Sequence, residues 1–434
     1  MTYQETIDWL MQRLPMFQRI GPAAIKKDLT NTIRLCEALG HPEQAFSSVH
    51  IAGTNGKGSV SNWLSAILQS SGHQTGLYTS PHLLDFRERI RINGVLCEEA
   101  FITDFVSRYR PVIEEIEPSF FEITVAMAFL YFAEKGVDIA VIETGLGGRL
   151  DSTNVITPVL GIITNIGWDH MAMLGNTLPL IASEKAGIIK PGVPVLIGER
   201  QEEVQGVFKE TAVLQGAPLY NSDNLVRLEV FSNDPAGLCF RAQLETTQFT
   251  LETCTPMFGS YQEKNLQTVL AAADLLQQDW QISVNDIISG LQQVKELTGF
   301  RGRMEILQHQ PLVLADCAHN SDGLDQLRRS IDAMDVPHWH IVTGAVQDKD
   351  VAANLLHLPE SASYYFCKPD IPRGMDARTL QQLAANMERK GVAYGSVHEA
   401  IVSALSNSGS DEAILICGSI FVVAEALPNF KHKT

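Results

Sequence analysis

The chain has 434 residues, of which 45% are hydrophobic and 19% are charged, and its net charge is −17 at pH 7. This length and composition predict a globular protein of two or three domains, because a single hydrophobic core stops growing at roughly 250 to 300 residues. The acidic balance argues against a nucleic-acid or anionic-membrane partner, since both need a basic surface. An anionic small molecule would therefore need local positive charge.

The sequence gives no sign of export or membrane insertion. No segment resembles a signal peptide, and no apolar run approaches the ~18 residues of a membrane span, so we expect a cytoplasmic protein. The seven cysteines lack C-x-x-C spacing, which indicates neither a disulfide framework nor a thiolate metal cluster. We expect them to be reduced and mostly buried.

Residues 1–47 have the apolar spacing of two helices, and neither carries an obvious chemical group. An apolar run at 48–52 then breaks into GTNGKGS at 53–59, and a helical pattern continues to residue 68. Glycines let backbone N–H groups turn toward an anion, Lys57 adds a positive charge, and the helix adds its dipole. This stretch predicts a phosphate cradle, although its spacing is not the common Gly-x-x-x-x-Gly-Lys-Ser. The alternative is a glycine-rich turn with an exposed lysine.

The following sequence alternates strand and helix patterns. Strands are predicted at 76–79, 137–142, 159–166 and 194–198, and helices at 122–134, 177–186 and 261–276. Strands that are apolar at nearly every residue are typical of a parallel sheet covered on both faces. Residues 225–254 have the alternation of a hairpin or meander. After a break at 298–303, interpreted as a hinge, strand candidates return at 311–315, 340–344, 364–367 and 413–417.

Polar residues follow several of these strands. Glu143 and His170 end two successive strand candidates, and Ser80 ends an earlier one, so a parallel sheet could bring all three to one edge. One carboxylate and one hydroxyl suit Mg²⁺ bound with nucleotide phosphates, whereas imidazole is an unusual third ligand. A lone histidine in such a position is more often a structural residue, and it is Glu143 that favours a metal site.

The pattern alone leaves two further sites ambiguous. Lys185 lies near the end of a helical pattern, where a surface ion pair or a helix C-terminal cation is the simpler explanation. Asp316 begins the run DCAHN after the first strand of the second half, and a simple turn explains that run equally well.

Together these stretches resemble the folylpolyglutamate synthase and dihydrofolate synthase family, a branch of the Mur ligase superfamily, over nearly the whole chain. The resemblance rests on the cradle at 53–59, on TSPHL at 79–83 and on the glycine-rich strand end at 143–151. It implies an α/β fold, with a P-loop parallel-sheet ATPase domain at 1–297 followed by a smaller Rossmann-like α/β domain at 298–434.

The resemblance also implies roles for individual residues. It places magnesium at Ser80, Glu143 and His170 and a carbamate on Lys185, so that Lys57, Lys185 and His170 are the candidate catalytic residues. The residues implied to bind ATP are Thr54, Asn55, Gly56, Lys57, Gly58, Ser59, Asn265, Arg303 and Asp316. Those implied to bind the pterin are Ser119, Phe120, Phe121, Glu122, Leu150, Asp151 and Ser152, and those for the incoming glutamate are His319 and Ser419.

The implied reaction is an ATP-dependent amide ligation through an acyl phosphate. L-Glutamate would be added to reduced folates and to dihydropteroate, with ATP and Mg²⁺ as cofactors and only small molecules as partners, and we expect a monomer. The chain departs from the family at Phe120, where members that make dihydrofolate often carry Tyr. That departure bears on the use of dihydropteroate.

Four alternatives stay open at this point. The chain could be a polyglutamate synthase only, a phosphotransferase or NTPase that uses the cradle without ligation, or a nucleotide-gated binding module without turnover. A peptidoglycan ligase is a nearer alternative, and the pterin stretches weigh against it.

Overall fold

The computed structural model describes residues 1–15, 28–346 and 351–430. Two compact units can be distinguished. The first comprises Met1–Ser232, Leu238–Pro256 and Gln262–Phe300, and the second comprises Asn233–Gly237, Met257–Tyr261 and Arg301–Thr434. The division of the sequence into domains at 1–297 and 298–434 stays a prediction.

Eight strands form the central sheet of the first unit. They are β1 Ser47–Ala52, β2 Thr75–Tyr78, β3 Ile90–Ile92, β4 Val95–Leu96, β5 Ile139–Glu143, β6 Leu160–Ile163, β7 Val195–Ile197 and β8 Leu219–Asn221. The strand order is β4-β3-β2-β5-β1-β6-β7-β8. The six strands from β2 to β8 in this order are parallel, and the hairpin β3–β4 extends the sheet antiparallel. The predicted parallel sheet is confirmed.

The helices of the first unit bury their apolar faces against the sheets of this unit and against one another. They are α1 Tyr3–Arg13, α2 Thr30–Ala38, α3 Lys57–Ser70, α4 Glu99–Ile116, α5 Phe120–Lys135, α6 Met171–Leu174, α7 Leu178–Ala186, α8 Glu202–Gln215, α9 Ser222–Leu225, α10 Ser260–Trp280, α11 Val284–Gln292 and α12 Val294–Thr298. The two helices predicted within residues 1–47 correspond to α1 and α2, and residues 16–27 between them lie outside the described residues. No helix in the described ranges is long and apolar enough to cross a membrane.

A separate three-stranded antiparallel sheet confirms the predicted meander. It consists of β9 Val226–Asp234, β10 Gly237–Leu244 and β11 Thr250–Thr255, in the order β11-β10-β9. A disulfide joins Cys239 to Cys254 across β10 and β11. The expectation that all cysteines are reduced is therefore wrong for this pair, while the other five are free and buried, as expected.

The second unit is built on a six-stranded sheet in the order β12-β13-β17-β14-β15-β16. Its strands are β12 Glu305–His309, β13 Leu312–Ala315, β14 Trp339–Thr343, β15 Ser363–Phe366, β16 Gly391–Ala393 and β17 Ala413–Cys417. All are parallel except β12, which pairs antiparallel with β13. The helices are α13 Ser321–Asp332, α14 Val351–Leu356, α15 Ala377–Ala385, α16 Val397–Asn407 and α17 Ile420–Ala426. Both units thus have the predicted α/β fold.

Candidate active site

The predicted cradle connects β1 to α3, and two of its glycines are required by its shape. Gly53 and Gly56 have φ angles of 152° and 84°, which residues that carry a Cβ rarely adopt. A Cβ on Gly53 would collide with the side chain of Thr164, and one on Gly56 would collide with the amide oxygen of Asn265. The contact with Gly56 places Asn265, a predicted ATP residue, directly against the cradle.

The first half of the cradle is fixed by the loop that follows β6. The Thr54 amide donates to the carbonyl oxygen of Asn165, and the Asn55 amide donates to its side-chain Oδ1, both at 2.9 Å. The Thr54 hydroxyl also accepts from the Gly167 amide at 2.9 Å. Thr54 and Asn55 therefore use their amides to hold the loop, rather than to face a ligand.

The second half of the cradle is the start of α3. This helix begins at Lys57, and within the described part of the chain no side chain caps its first turn. The amides of a first turn point along the helix axis and, with the helix dipole, favour an anion. Residues 57–59 are thus the part of the cradle best suited to hold phosphate oxygens.

Two lysines converge on one carbonyl oxygen of the cradle. The Nζ atoms of Lys57 and Lys185 donate to the oxygen of Gly53 at 3.1 and 2.7 Å. Lys185 is only 3% exposed, so its interpretation as a surface cation is wrong. Burial, reinforced by the charge of Lys57, lowers the pKa of Lys185 to about 7, against the opposing influence of Asp169 and Asp151.

The predicted metal residues follow parallel strands whose ends lie side by side. Glu143 ends β5, opposite Ile51 of β1, while Ser80 follows β2 and His170 follows β6. Glu143 is 5% exposed, and its Oε2 lies 3.9 Å from the position that a Cβ on Gly58 would occupy. The Glu143 carboxylate is therefore placed beside the phosphate end of the cradle.

His170 and Asp169 form one compact turn. The His170 amide donates to Oδ1 of Asp169 at 2.9 Å, and His170 has a φ of 51° at the start of α6. The imidazole Nε2 lies 3.8 Å from the same carboxylate oxygen, beyond hydrogen-bond distance.

This donor set fits magnesium. Glu143 and Ser80 offer the oxygen ligands that Mg²⁺ prefers, and the ion usually keeps waters and takes phosphate oxygens as well. Over residues 1–15, 28–346 and 351–430, no group of three or more His, Cys, Asp or Glu side chains could hold a metal by itself. The magnesium site at Ser80, Glu143 and His170 stays a prediction.

The predicted pterin residues 119–122 have structural partners. Ser119 and Glu122 form a capping box at the start of α5, with the Ser119 amide donating to Glu122 at 2.6 Å. Phe120 is 3% exposed and packs edge-on against Phe86, with the Arg89 guanidinium 5.5 Å from its ring centroid. Ser119, Glu122 and Phe120 thus shape this end of the helix from within the core.

Phe121 joins the two predicted pterin stretches. A Cβ on Gly145 would collide with the Cζ end of the Phe121 ring, so the tip of the ring lies close to the backbone of the glycine-rich loop after β5. Leu150 and Ser152 lie in the same loop, and Ser152 is buried. The structure thereby brings the stretches 119–122 and 145–152 together, as the resemblance implies.

Asp151 organises that loop. Its Oδ1 accepts from the amide and the hydroxyl of Thr153 at 3.0 and 2.5 Å, and its Oδ2 accepts from the Leu146 amide at 2.8 Å. Burial raises the pKa of Asp151, and these hydrogen bonds oppose the shift. The Thr153 hydroxyl donates to Asp151, so its 2.8 Å contact with Nε2 of His50 requires the histidine to be the donor.

Predicted residues of the second unit follow two adjacent parallel strands. His319 follows β13 and Ser419 follows β17, and Ala315 of β13 pairs with Ile416 of β17. His319 Nδ1 bonds to the Cys317 carbonyl at 2.9 Å, and the Ser419 hydroxyl caps α17. The two predicted glutamate residues therefore share one edge of this sheet.

Asp316 is a structural centre of the second unit. Its Oδ2 accepts from the Tyr261 hydroxyl at 2.6 Å and from the Met304 amide at 2.9 Å, and its Oδ1 accepts from the Ala318 amide at 2.8 Å. Arg303, next to Met304, donates to the Gly302 carbonyl at 2.9 Å. The interpretation of the DCAHN run as a simple turn does not account for this network.

Three residues of the site were not predicted. Gln262 is fully buried, and its Oε1 accepts from Nδ2 of Asn265 at 3.0 Å. The spacing of three residues on one helix is the signal that could have found it. His50 and Thr153 support Asp151 from a strand and a loop that are about a hundred residues apart in sequence, and no local pattern connects them.

Comparisons with known proteins agree with this architecture. Residues 51–273 match the Mur ligase middle domain, and residues 302–420 match the Mur ligase glutamate ligase domain. The dihydrofolate synthase/folylpolyglutamate synthase of Bacillus subtilis is 34% identical over 443 residues, covering 99% of this chain and 99% of that protein. These matches confirm the resemblance found in the sequence.

Two further relatives extend the comparison. A probable bifunctional folylpolyglutamate synthase/dihydropteroate synthase of Haloferax volcanii is 34% identical over 98% of this chain, which spans only 50% of that protein. The solved structure of E. coli FolC in complex with DHPP and ADP matches with a TM-score of 0.86 at 26% identity, covering 99% of this chain and 97% of that chain. The predicted α/β fold class is confirmed over nearly the full length.

Proposed function

We propose that this chain, which belongs to the folylpolyglutamate synthase/dihydrofolate synthase family of Mur ligases, uses ATP to join L-glutamate to folates and to dihydropteroate. The observation that supports this most directly is the convergence of Lys57 and Lys185 on the Gly53 carbonyl beside the buried Glu143. Cations at a helix N-terminus, next to a carboxylate that can hold a metal, suit the transfer of a phosphoryl group.

The reaction needs this transfer because a carboxylate does not react with an amine at neutral pH. The acceptor carboxylate attacks the γ-phosphate of ATP, which releases ADP and gives an acyl phosphate. The amine of glutamate then attacks the acyl carbon, and phosphate leaves. The products are the amide, ADP and phosphate.

The chain's own residues have separate roles in this scheme. Lys57 offsets the charge that builds up on the transferred phosphoryl group, and the first-turn amides of α3 bind phosphate oxygens. Asn265, which lies against Gly56, positions the nucleotide at the cradle. Magnesium, when bound by Ser80, Glu143 and His170, supplies further positive charge to the phosphate oxygens.

Lys185 is suited to carbamate formation. With a pKa of about 7, Lys185 is a neutral amine in a large fraction of the molecules near physiological pH. A neutral amine adds to CO₂ with release of a proton. The product replaces a buried cation with an anionic oxygen donor. That exchange relieves the repulsion between Lys185 and Lys57.

The packing of Phe120 supports use of dihydropteroate. The ring is 3% exposed and keeps its place against Phe86 and Arg89 without a hydroxyl. The loss of one hydrogen bond is worth roughly 0.5 to 1.5 kcal/mol, which weakens a substrate several-fold without excluding it. Phe121 and the loop at 145–152 still provide an aromatic face and polar groups for a pterin.

His319 and Ser419 are proposed to receive the incoming glutamate. Both follow parallel strands at one sheet edge, where open α/β sheets bind ligands. Arg303 and Asp316 are proposed to contribute to ATP binding. The three hydrogen bonds that Asp316 accepts within the unit make it a residue that also holds its own loop in place.

The test is release of ADP and phosphate from ATP in four mixtures: with neither substrate, with the folate alone, with glutamate alone, and with both. For a ligase, we expect phosphate release only when the folate and glutamate are both present. The mass of the acceptor should then increase by one glutamyl residue. Release without glutamate, and no change in acceptor mass, identifies an NTPase. Binding without any release identifies a nucleotide-gated module.

A further inference from the structure

The cysteines of this chain fall into two classes. Five are buried, and burial raises the pKa of each of these thiols, namely Cys36, Cys97, Cys317, Cys367 and Cys417. The remaining two, Cys239 and Cys254, lie at the surface of the three-stranded sheet. Thiolates and exposed sulfurs react, whereas buried thiols are inert. The thiol chemistry available to solvent is therefore concentrated on this one pair.

The strand register brings the two sulfurs together. Cys239 of β10 is directly opposite Cys254 of β11, with their Cα atoms 4.0 Å apart. Their neighbours Phe240 and Thr253 point to the opposite, buried face. The pairing of β10 and β11 therefore aligns the sulfurs, and the bond can open or close without a change of register.

The two sulfurs differ in access. Cys254 is exposed, whereas Cys239 is half-buried. The next pair along the same face is Arg241 and Glu252, joined at 2.8 Å, and Arg241 also bonds to Glu229 at 3.2 Å. These three side chains form an exposed ion-pair cluster beside the sulfurs and leave Cys254 uncovered. An incoming small thiolate can reach Cys254 more easily than Cys239.

We propose that Cys239 and Cys254 form a reversible dithiol–disulfide site that exchanges with low-molecular-weight thiols and disulfides. Exposed disulfides are the labile ones, and this pair meets that condition without involving any residue of the proposed active site. The structure holds the oxidised form, which closes a sequence separation of 15 residues between the two strands.

The exchange is balanced in electrons and atoms. An external thiolate attacks Sγ of Cys254, the protein S–S bond breaks, and Cys239 leaves as a thiolate that takes up a proton. A second external thiolate attacks the external sulfur of the mixed disulfide, which releases Cys254 and a small disulfide. The protein gains two electrons, two external thiols lose them, and the reverse direction oxidises the protein.

The first experiment is alkylation of the native, full-length protein with iodoacetamide, read by peptide mass spectrometry. We expect no alkylation after treatment with oxidised glutathione, and modification of Cys239 and Cys254 alone after reduction with glutathione. Cys97→Ala, which removes a buried thiol, is the matched control and leaves this pattern unchanged. Persistence of two free thiols after oxidised glutathione, or equal labelling of the buried cysteines, overturns the proposal.

Single variants test the assigned order of attack. Treated with oxidised glutathione, Cys239→Ser accumulates the glutathione adduct on Cys254 faster than Cys254→Ser accumulates it on Cys239. Hydrogen exchange provides a second readout in the wild-type protein, because closing the bond slows exchange of the β11 amides. Equal adduct rates in both variants contradict the order, and unchanged β11 exchange on oxidation contradicts closure of the bond in solution.

Discussion

Lys57 and Lys185 donate to the same carbonyl oxygen, that of Gly53, although Lys57 begins α3 and Lys185 lies in the last turn of α7. Two ammonium groups on one acceptor repel each other, and in the buried position this repulsion adds to the cost of desolvation. Lys185 is the member that gives up its charge, because it is the more deeply buried. The lowered pKa of Lys185 makes its amine available for chemical modification.

Lys57→Ala is expected to abolish amide formation while leaving the fold intact. Loss of one positioned charge at the transferred phosphoryl group should lower kcat by about a hundredfold or more. Steady-state rates of ligation, together with circular dichroism and thermal unfolding, measure both effects. Lys209→Ala on α8, which removes an exposed lysine, is the control. A folded Lys57→Ala protein with wild-type turnover would rule out the role of Lys57.

Activity should fall with decreasing pH as Lys185 becomes protonated. Its pKa of about 7 means that the neutral amine required for carbamate formation is lost below that pH. Added bicarbonate should restore part of the activity near neutral pH, and removal of CO₂ should lower it. Intact mass spectrometry under native conditions checks for the added carboxyl group. An active enzyme that carries a plain amine at position 185 contradicts this prediction.

Lys185→Ala should be nearly inactive, and short carboxylic acids should partly rescue it. Formate or acetate could occupy the space of the missing carbamate and restore an anionic oxygen beside the cradle. The measurement is the ligation rate as a function of added acid. Lys57→Ala serves as the comparison, because an anion cannot replace its positive charge. Equal rescue of both variants would show that the effect is not specific to position 185.

Lys185→Met should be more stable to urea than the wild type at about pH 6 in CO₂-free buffer. In the unfolded chain Lys185 keeps its proton up to the ordinary lysine pKa, whereas in the folded protein burial lowers the pKa of Lys185 to about 7. Between these two values the unfolded state binds the extra proton, so wild-type stability rises with pH. The variant lacks this slope. If the difference in the free energy of unfolding between wild type and variant stays constant from about pH 6 to 9, the lowered pKa of Lys185 is contradicted.

Thr153→Val should weaken binding of the pterin acceptor more than that of ATP. The substitution keeps the branched shape but removes the hydroxyl that Asp151 and His50 share, and it leaves His50 Nε2 without its partner. The expected cost in stability is about 1 to 3 kcal/mol. A rise in KM for the acceptor with little change in KM for ATP distinguishes loss of loop position from general destabilisation. Thr153→Ser, which retains the hydroxyl, should be close to wild type.

The wild-type protein should extend both dihydropteroate and tetrahydrofolate. The buried position of Phe120 removes the main argument against the first of these acceptors. Each acceptor is offered separately at the same ATP and glutamate concentrations, and the products are identified by mass spectrometry. Extension of tetrahydrofolate alone, even at high dihydropteroate concentration, identifies a polyglutamate synthase only.

Much of the fold follows from local pattern, because the buried strands β5 and β6 are apolar at nearly every position, and a polar residue ends β5 (Glu143) and follows β6 (Thr164). The edge strands β12 and β16 were not predicted. β12 contains an irregularity between Ile306 and Gln308, and β16 has only three residues, so neither repeats its alternation long enough to be recognised.

Properties that depend on register or on distant loops could not be predicted. The pairing of Cys239 with Cys254 requires the register of β10 and β11, since a slip by one residue would separate the sulfurs onto opposite faces. Lys185 is buried where it contacts the cradle at Gly53, more than a hundred residues away in sequence, and the sequence around it is that of an ordinary helix end.

The hydrogen bonds from Thr54 and Asn55 to Asn165 have a consequence for the affinity and the kinetics of nucleotide binding. A glycine-rich loop would ordinarily lose conformational freedom when a ligand arrives, and that loss would weaken the affinity. Here hydrogen bonds within the protein already hold this part of the loop, so the binding surface is preorganised before the nucleotide arrives. Its association should proceed as a single step without a slow rearrangement of this loop.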